Sequence, residues 1–187
     1  GRTVLVAGGA GAVGNAAIQL ARWSDATVIT TVSSPDKGNL AALAGADHVI
    51  NYKQEDVAAE IRAIVPHGVN TIVEVSPAAN AAIDAAVIAM HGSVAVYAND
   101  GGATMELPVR PSMVPNVRWQ FVLLYNAPES WRPRALDDVA AAVAEGAVRI
   151  GSEAGLPIHH YPLEQAAEAH AAVEQGIVGK VLIDITD

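Results

Sequence analysis

The sequence predicts an α/β protein with a doubly wound parallel sheet and helices on both faces. Short apolar runs rich in β-branched residues alternate with stretches whose apolar residues recur at helical spacing, and glycines or prolines separate them. One run, residues 69–75, is apolar almost throughout, which is typical of a strand covered on both faces. Strands and helices that alternate in this way form β-α-β units, and such units build a parallel sheet.

The first strand, turn and helix occupy residues 3–21. A β-branched run stops at Gly8, and apolar positions at helical spacing resume at Val13. Gly8, Gly11 and Gly14 have the spacing of the dinucleotide fingerprint, in which a tight turn and a backbone without Cβ approach a pyrophosphate at a helix N-terminus. We therefore predict a Rossmann-type nucleotide site. Its candidate residues in this stretch are Gly8, Ala10, Gly11, Ala12, Val13 and Gly14.

The next elements follow the same alternation. The second strand is predicted at residues 26–32, and Ser34 and Pro35 can cap and begin the helix that follows it. Further helices carry the apolar residues of 57–65 and of 77–88, and Gly92 closes the second of these two. The remaining strands of this series are predicted at residues 47–51, 69–75 and 93–98.

The regular alternation breaks after residue 98. A loop rich in Gly and Pro covers 99–115, a sixth strand is predicted at 117–125, and a helical stripe runs up to Gly146. After about Gly151 the pattern changes to a short apolar segment, a helix over 163–174 and a strand over 181–185. This tail does not continue the β-α-β series. We predict a dinucleotide-binding domain over 1–150 and a separate C-terminal segment over 151–187.

Composition limits the classes of function. The 187 residues carry a formal net charge of -9, so nucleic acid and anionic membranes are not expected partners. The sequence has no Cys, which excludes disulfides and thiolate chemistry, and no apolar run reaches transmembrane length. We expect a cytoplasmic protein. Because the chain opens almost directly on a buried type of strand, we also expect it to be a piece of a longer protein.

Three stretches carry a family resemblance. GGAGAVGNAAIQLAR, TTVSSPDK with AGADHVINYKQED, and YPLEQAAEAHAAVEQGIVGKVLI together span much of the chain. In these stretches the sequence resembles the zinc-independent quinone oxidoreductases, the zeta-crystallin-like branch of the medium-chain dehydrogenase/reductase superfamily. The resemblance implies that a GroES-like catalytic domain precedes Gly1 and that the segment after about Gly151 completes that domain.

The resemblance also implies further site residues. It places the Tyr52 ring beside the adenine and the 2′-phosphate, although Tyr52 could equally pack on the next helix as a strand-end aromatic residue. Asn99, Asp100 and Gly101 follow the fifth strand near the nicotinamide, and Leu124 and Tyr125 end the sixth strand near the same place. Gly179 and Lys180 lie beside the cofactor. The alternative for the sixth-strand residues is packing at an edge that pairs two subunits.

The end of the second strand predicts which cofactor is preferred. An NAD site places an Asp or Glu there on the ribose hydroxyls, but this chain has Ser33 and Ser34 instead. Lys37 lies one helical turn further on, so its ammonium and the hydroxyls can converge on a 2′-phosphate. The alternative is a capped surface helix with a solvated lysine. We predict NADP, bound as NADPH.

Catalytic and metal-binding residues are not predicted. No tyrosine is followed four residues later by Lys, which argues against the short-chain reductases. The histidines show no spacing backed by carboxylates that would indicate zinc, so no metal site is expected. The six histidines are His48, His67, His91, His159, His160 and His170.

The predicted function is NADPH-dependent hydride transfer to a quinone or to an activated alkene or carbonyl, with this chain as the cofactor-binding part. A medium-chain enoyl reductase or a zinc-type alcohol dehydrogenase is the alternative among enzymes. A non-catalytic NADPH-binding or scaffold protein is the alternative from another class. We expect a small-molecule hydride acceptor as the partner and a homodimer in solution. We expect this chain by itself to have little activity.

Overall fold

The computed structural model describes residues 1–185 and contains a six-stranded parallel sheet. The strand order is β3-β2-β1-β4-β5-β6, so the chain moves outward from β1 first in one direction and then in the other. This is the doubly wound arrangement that the sequence predicted, and the fold class is confirmed. The strands of this sheet are β1 (Thr3–Ala7), β2 (Thr27–Val32), β3 (His48–Asn51), β4 (Val69–Glu74), β5 (Ile88–Val96) and β6 (Arg118–Phe121).

Helices cover both faces of the sheet. Short 3₁₀ turns lie at Leu124–Asn126, Glu129–Trp131, Ser152–Ala154 and Leu163–Gln165. No helix within residues 1–185 is both long enough and apolar enough to cross a membrane. The α-helices are α1 (Ala12–Trp23), α2 (Pro35–Leu43), α3 (Val57–Ile64), α4 (Pro77–Val87), α5 (Val109–Met113), α6 (Arg132–Ala144) and α7 (Ala166–Glu174).

Two apolar cores lie on opposite faces of the sheet. Leu5 belongs to one core and its neighbour Val6 to the other, because successive side chains of a strand point to opposite faces. The first core packs under α3 and α4 through residues such as Ile61 and Val87. The second packs under α1 and α2 and includes Ile18. Both faces of the central strands are therefore buried, as their apolar sequences predict.

Side-chain caps determine where two of the helices begin. The Ser34 hydroxyl accepts a hydrogen bond from the Lys37 backbone N–H at 3.3 Å, and Pro35 occupies the first turn of α2. The Asp56 carboxylate accepts one from the Ala59 N–H at 3.1 Å at the start of α3. The predicted cap at Ser34 is thus present.

The prediction for residues 88–92 is wrong. The sequence placed them at the end of a helix, but α4 ends at Val87 and β5 begins at Ile88. The register between β4 and β5 shifts between Val69 and Thr71, and His91 has a positive φ of 60°. Because Val87 and Ile88 are both buried in the same core, an apolar pattern cannot distinguish the last helical turn from the first strand residue.

The predicted sixth strand is too long. It was expected over 117–125, but β6 ends at Phe121, and Leu124 and Tyr125 lie in a 3₁₀ turn. The Val122 N–H still donates to the Val96 carbonyl at 2.8 Å, and β5 ends at Val96. Beyond that point β6 has no neighbouring strand to continue the ladder.

The C-terminal segment forms its own small sheet. β7 (Ile158–Pro162) and β8 (Lys180–Asp184) pair in parallel, with α7 between them in the chain, and neither joins the six-stranded sheet. The predicted helix and final strand are therefore present with shifted ends. The division of the chain near residue 150 stays a prediction.

Buried polar contacts hold this segment against the first domain. The Asn15 amide of α1 donates to the Ala154 carbonyl at 2.7 Å. Just before this segment, Gln19 of α1 also exchanges two hydrogen bonds with the Arg149 backbone, at 3.0 and 2.8 Å. Gly155 lies so close to α2 that a Cβ on it would collide with the Leu40 carbonyl. The approach at Gly155 is possible only without a side chain.

We predict that Gly155→Ala destabilises the protein more than Gly146→Ala. The two glycines have nearly equal φ, +71° and +72°, so the left-handed backbone costs alanine a similar ~1–2 kcal/mol at each. A Cβ at Gly146 meets nothing within 4 Å, whereas the collision at Gly155 adds about 1–3 kcal/mol. Urea unfolding of both variants measures the difference. Equal losses would show that the contact with α2 is not close in solution.

Candidate functional site

A glycine turn joins β1 to α1 and exposes the start of that helix. β1 ends at Ala7, and the Gly11 N–H donates to the Gly8 carbonyl at 3.0 Å. Gly11 is the N-cap of α1, no side chain caps the helix there, and its first turn carries no acidic residue. The backbone N–H groups of that turn therefore face outward with the positive end of the helix dipole.

The glycines of this turn have different roles. A Cβ on Gly14 would collide with the Gly8 carbonyl, and one on Gly9 would collide with the buried Thr30 hydroxyl. A Cβ on Gly11 would meet only the Gly8 carbonyl oxygen, at the ordinary contact distance of 3.4 Å. Gly9 and Gly14 thus permit close packing, whereas Gly11 leaves an open backbone surface.

Gly9 was missed by the sequence analysis. The signal was present, because Gly9, Gly11 and Gly14 have the G-x-G-x-x-G spacing, whereas the predicted Gly8, Gly11 and Gly14 are spaced G-x-x-G-x-x-G. Gly8 has a positive φ of 71°, so it supplies the bend after β1. The turn therefore uses four glycines where the sequence analysis assigned three.

A cleft of about 550 Å³ opens beside this turn, and we call it the glycine cleft. It lies at the carboxyl ends of β1, β2, β4 and β5, where the strand order reverses on either side of β1. Ligands of doubly wound sheets bind at this position. The glycine cleft is lined by Gly8, Ala10, Gly11, Ala12, Val13, Val32, Ser33, Lys37, Tyr52, Val75, Tyr97, Ala98, Asp100, Gly176, Ile177, Val178 and Gly179.

A second cavity of about 580 Å³ adjoins the first, and we call it the acidic cavity. The two share Gly8, Tyr52, Val75 and Asp100. Five carboxyl-bearing residues and no Lys or Arg line the acidic cavity, so it disfavours anions. Its lining residues are Leu5, Ala7, Gly8, Thr31, Tyr52, Glu55, Asp56, Val57, Glu74, Val75, Ser76, Ala79, Asn80, Ile83, Asp84 and Asp100.

Many of the predicted site residues line the glycine cleft. Those that do are Gly8, Ala10, Gly11, Ala12, Val13, Ser33, Lys37 and Tyr52. Gly14 lies behind the turn, and the Ser34 hydroxyl is engaged in capping α2. Asn99 and Lys180 are chain neighbours of lining residues but do not line the cleft themselves.

Leu124 and Tyr125 lie away from the lining of either cavity. Leu124 is 69 % exposed and Tyr125 is 85 % exposed, and both lie in the 3₁₀ turn after β6. Their predicted contact with a cofactor has no counterpart among the cavity walls of residues 1–185. The roles of all these residues stay predictions.

Tyr97 lines the glycine cleft but was not predicted as a site residue. It follows β5, and burial, the Asp100 carboxylate and the Glu74 carboxylate raise its pKa to about 12. Its phenol therefore stays protonated at neutral pH and offers a hydrogen-bond donor to the cleft. An aromatic residue directly after a predicted strand was the available signal.

The C-terminal segment supplies another wall of the cleft, in which only Gly179 had been placed beside the cofactor by the family resemblance. Gly176, Ile177 and Val178 line the cleft together with Gly179. Gly179 has a φ of +117°, and a Cβ there would collide with the Pro157 carbonyl. These residues reach the cleft because β8 pairs with β7, a long-range contact that sequence spacing does not reveal.

Two buried carboxyl groups lie at the acidic cavity. Glu74 ends β4 and is fully buried, and Asp84 on α4 is 1 % exposed. Burial raises the pKa of both groups. For Asp84 the charge of Glu74 and a hydrogen bond with it add to the effect, and its pKa rises to about 8.

No group of three or more His, Cys, Asp or Glu side chains within residues 1–185 is arranged to hold a metal ion. The histidines are spread over different elements, such as His48 in β3 and His160 in β7. His160 Nδ1 instead lies 2.9 Å from an Asp184 carboxylate oxygen, in an exposed pair.

Comparison with known proteins decides the family. The family model described as zinc-binding dehydrogenase matches residues 12–141, which take in β2 to β6. The chain belongs to this family. Its similarity to quinone oxidoreductases confirms the predicted relation to the quinone oxidoreductase-like branch of the medium-chain dehydrogenase/reductase superfamily.

Individual relatives agree with this assignment. Rat (Rattus norvegicus) quinone oxidoreductase is 29% identical over 188 residues, which are 98% of this chain and 54% of that protein. Mycobacterial Rv1454c in complex with NADPH has a TM-score of 0.81 at 28% identity, with 98% of this chain and 56% of that chain covered. An NAD-dependent alcohol dehydrogenase has a TM-score of 0.82 at 28% identity, with coverage of 100% and 52%.

The chain spans about half the length of these relatives. What the similarity covers is the six-stranded sheet, its helices and the C-terminal segment.

Proposed function

We propose that the chain is the NADP(H)-binding part of an oxidoreductase that transfers hydride to a quinone or to an activated alkene or carbonyl. The observation that carries the proposal is the open glycine turn at the start of α1, which borders the glycine cleft. Among residues 1–185, Lys37 is the only Lys or Arg that lines this cleft. The complex of the mycobacterial relative with NADPH supports it. The relation to quinone oxidoreductases supports the acceptor class.

The pyrophosphate of the cofactor fits against the glycine turn. Gly11 has no Cβ to block its approach, and the N–H groups of the first turn of α1 can donate to its oxygens. Ala10, Ala12 and Val13 line the same wall with small or apolar side chains. The cradle thus has the shape and the donors that a pyrophosphate requires.

The 2′-phosphate fits at the end of β2. Ser33 lines the cleft, whereas the Ser34 hydroxyl already accepts from the Lys37 N–H. This leaves the Ser33 hydroxyl and the Lys37 ammonium as the donors to the phosphate. Ser33 takes the place of the acidic residue that would repel this phosphate at the end of β2, and Asp36 in the first turn of α2 does not line the cleft.

The base of the cofactor fits the acidic cavity. Adenine is uncharged and carries an N–H₂ donor, which carboxylate oxygens accept, whereas phosphates are repelled there. Tyr52 lines both cavities and is 52 % exposed, so its ring is available to stack on the base. This arrangement agrees with the role that the family resemblance gave Tyr52.

Bound NADPH would supply the hydride, and the chain's own residues would bind and orient it. Tyr97 and the segment from Gly176 to Gly179 line the far part of the cleft and limit access of water. Asn99 and Lys180, next to this wall, and Leu124 and Tyr125, in the turn after β6, remain proposed contacts of the nicotinamide end.

We further propose that residues 1–150 form the cofactor domain and that 151–187 complete a catalytic domain of the GroES-like kind. Hydride transfer requires the acceptor and the nicotinamide to be held near contact distance by both domains. This chain by itself should therefore have little activity. The absence of Cys suits the reducing cytoplasm, where we place the protein.

The second candidate is an alcohol dehydrogenase, which the similarity to an NAD-dependent alcohol dehydrogenase favours. The two candidates differ in the cofactor that they prefer and in the direction of hydride transfer. Calorimetric titration with NADPH and NADH decides between them, because preference for NADH would favour the alcohol dehydrogenase. Binding of neither cofactor would refute both.

The first prediction concerns the turn. Gly11→Val should abolish NADPH binding, because its side chain would occupy the path of the pyrophosphate. The fold should persist, since the first atom of that side chain meets only ordinary contacts. Calorimetry measures the affinity and circular dichroism the fold. Unchanged affinity in the Gly11→Val protein would overturn the placement of the pyrophosphate.

The second prediction concerns the 2′-phosphate. Lys37→Ala should cost about 1–3 kcal/mol of NADPH binding and leave NADH binding nearly unchanged, because a charge-assisted contact to the phosphate is lost. Lys53→Ala is the matched control, since Lys53 is exposed and lines neither cavity. Equal losses for the two cofactors would show that Lys37 does not contact the 2′-phosphate.

The third prediction concerns assembly. β6 is an edge strand of the sheet, and Phe121 on it is 60 % exposed, so we propose that two copies pair along β6. Phe121→Lys should convert a dimer into a monomer in light scattering. Val173→Lys on α7, at a residue of 59 % exposure, should leave the dimer intact. A monomeric unmodified protein would contradict this proposal.

A further inference from the structure

The hydrogen-bond donors around Glu74 and Asp84 are unevenly divided. The Glu74 carboxylate accepts from the Ser76 backbone N–H, and its two oxygens lie 3.0 and 3.3 Å from the Asn80 amide nitrogen. The buried Asp84 Oδ2 has no donor among the described residues. An unpartnered buried carboxylate oxygen is costly unless the group is protonated.

Asn80, which donates to Glu74, lies one helical turn before Asp84 on α4, so the two carboxyl groups are neighbours in the lining of the acidic cavity. Ionised carboxylates have only acceptors, so a hydrogen bond between them requires one shared proton. Because N–H donors already stabilise the anion of Glu74, the proton belongs on Asp84. Asp84 then donates to Glu74.

The surrounding charges do not compensate a second anion. Glu55 and Asp56 line the acidic cavity at the start of α3. In the segment after β5, Asp100 lines both the acidic cavity and the glycine cleft, and Tyr97 lines the glycine cleft. Arg62 on α3 directs its guanidinium instead to the carbonyls of Ala86 and Pro66. No cation lines the acidic cavity among the described residues.

We propose that Asp84 is a positioning residue for the cofactor site: its protonated carboxyl holds Glu74, and Glu74 holds the β4–α4 turn that forms one wall of the glycine cleft. This inference rests on the proposed function, since it requires that the cofactor binds in that cleft.

Hydrogen bonds connect the pair to the wall of the cleft. The Ser76 hydroxyl donates to the Asp100 carbonyl at 2.8 Å, and the Asp100 N–H donates to the Val75 carbonyl at 3.1 Å. The Tyr97 backbone N–H donates to the backbone carbonyl of Glu74 at 3.1 Å. Val75, Tyr97 and Asp100 all line the cleft, so displacement of Glu74 would move three of its wall residues.

Loss of the proton should weaken cofactor binding. The pKa of Asp84 is raised to about 8, above its value in an unfolded chain, so the folded protein holds this proton more tightly. The contribution of this proton to the stability of the folded protein is present at low pH and is lost as the pH rises through about 8. Above that pH two anions would face each other beside the turn, and the binding-competent arrangement would become a minor population.

The test is cofactor affinity between pH 7 and pH 9.5. The unmodified protein should bind NADPH and NADH more weakly at pH 9.5, on the order of tenfold for each, because both need the same wall. The Asp84→Asn protein should bind both cofactors with an affinity that does not change over this range, since its amide donates to Glu74 without titrating. Asp137→Asn, at an exposed position of α6, should keep the pH profile of the unmodified protein.

Each outcome decides between explanations. A decline for NADPH but not for NADH would assign the effect to the 2′-phosphate contacts and overturn the role of Asp84. The same decline in the Asp84→Asn protein would also overturn it. Binding of neither cofactor at pH 7 would refute the proposed function and, with it, this role. In that case urea unfolding midpoints between about pH 4 and pH 8 would still test the shared proton, because over this range they should fall with pH more steeply in the unmodified protein than in Asp84→Asn.

Discussion

The close approach of α1 to the turn after β1 is the constraint on which the site depends. Gly14 packs against the Gly8 backbone and Gly9 against the side chains of Thr30 and Ile18, at distances that exclude a Cβ at either glycine. This packing sets the start of α1 directly above the end of the central strand. Because β1 pairs with β2 on one side and β4 on the other, the helix N-terminus points into the crevice where the strand order reverses.

Local signals were sufficient for the first four of the six strands. The glycine turn, the cap at Ser34 and the buried run of β4 each depend on residues close in sequence, and these elements are where the pattern predicted them. The errors occur where long-range pairing decides. Ile88 is a strand residue because it pairs with Val69, and β6 stops at Phe121 because β5 ends at Val96.

The residues of the site also fall into those that local sequence predicts and those that only long-range pairing brings to the cleft. The glycine turn, Ser33 and Lys37 could be predicted because the motif and the strand that follows it lie within the first 40 residues. Gly176, Ile177 and Val178 could not, since they reach the cleft only through the pairing of β7 with β8. The pair of Glu74 and Asp84 was equally hidden, because a helix position and a strand end meet only after packing.

The charge distribution explains how a protein of net charge -9 can present a site for an anion. The overall charge repels phosphates, so attraction must come from short-range groups, and we propose the N–H groups of α1 and the ammonium of Lys37 for this role. The carboxyl groups of the adjoining acidic cavity would add to the selectivity, since they repel phosphates from that cavity. A dinucleotide entering the two cavities meets attraction at one end and repulsion of its phosphates at the other, which favours one orientation along the crevice.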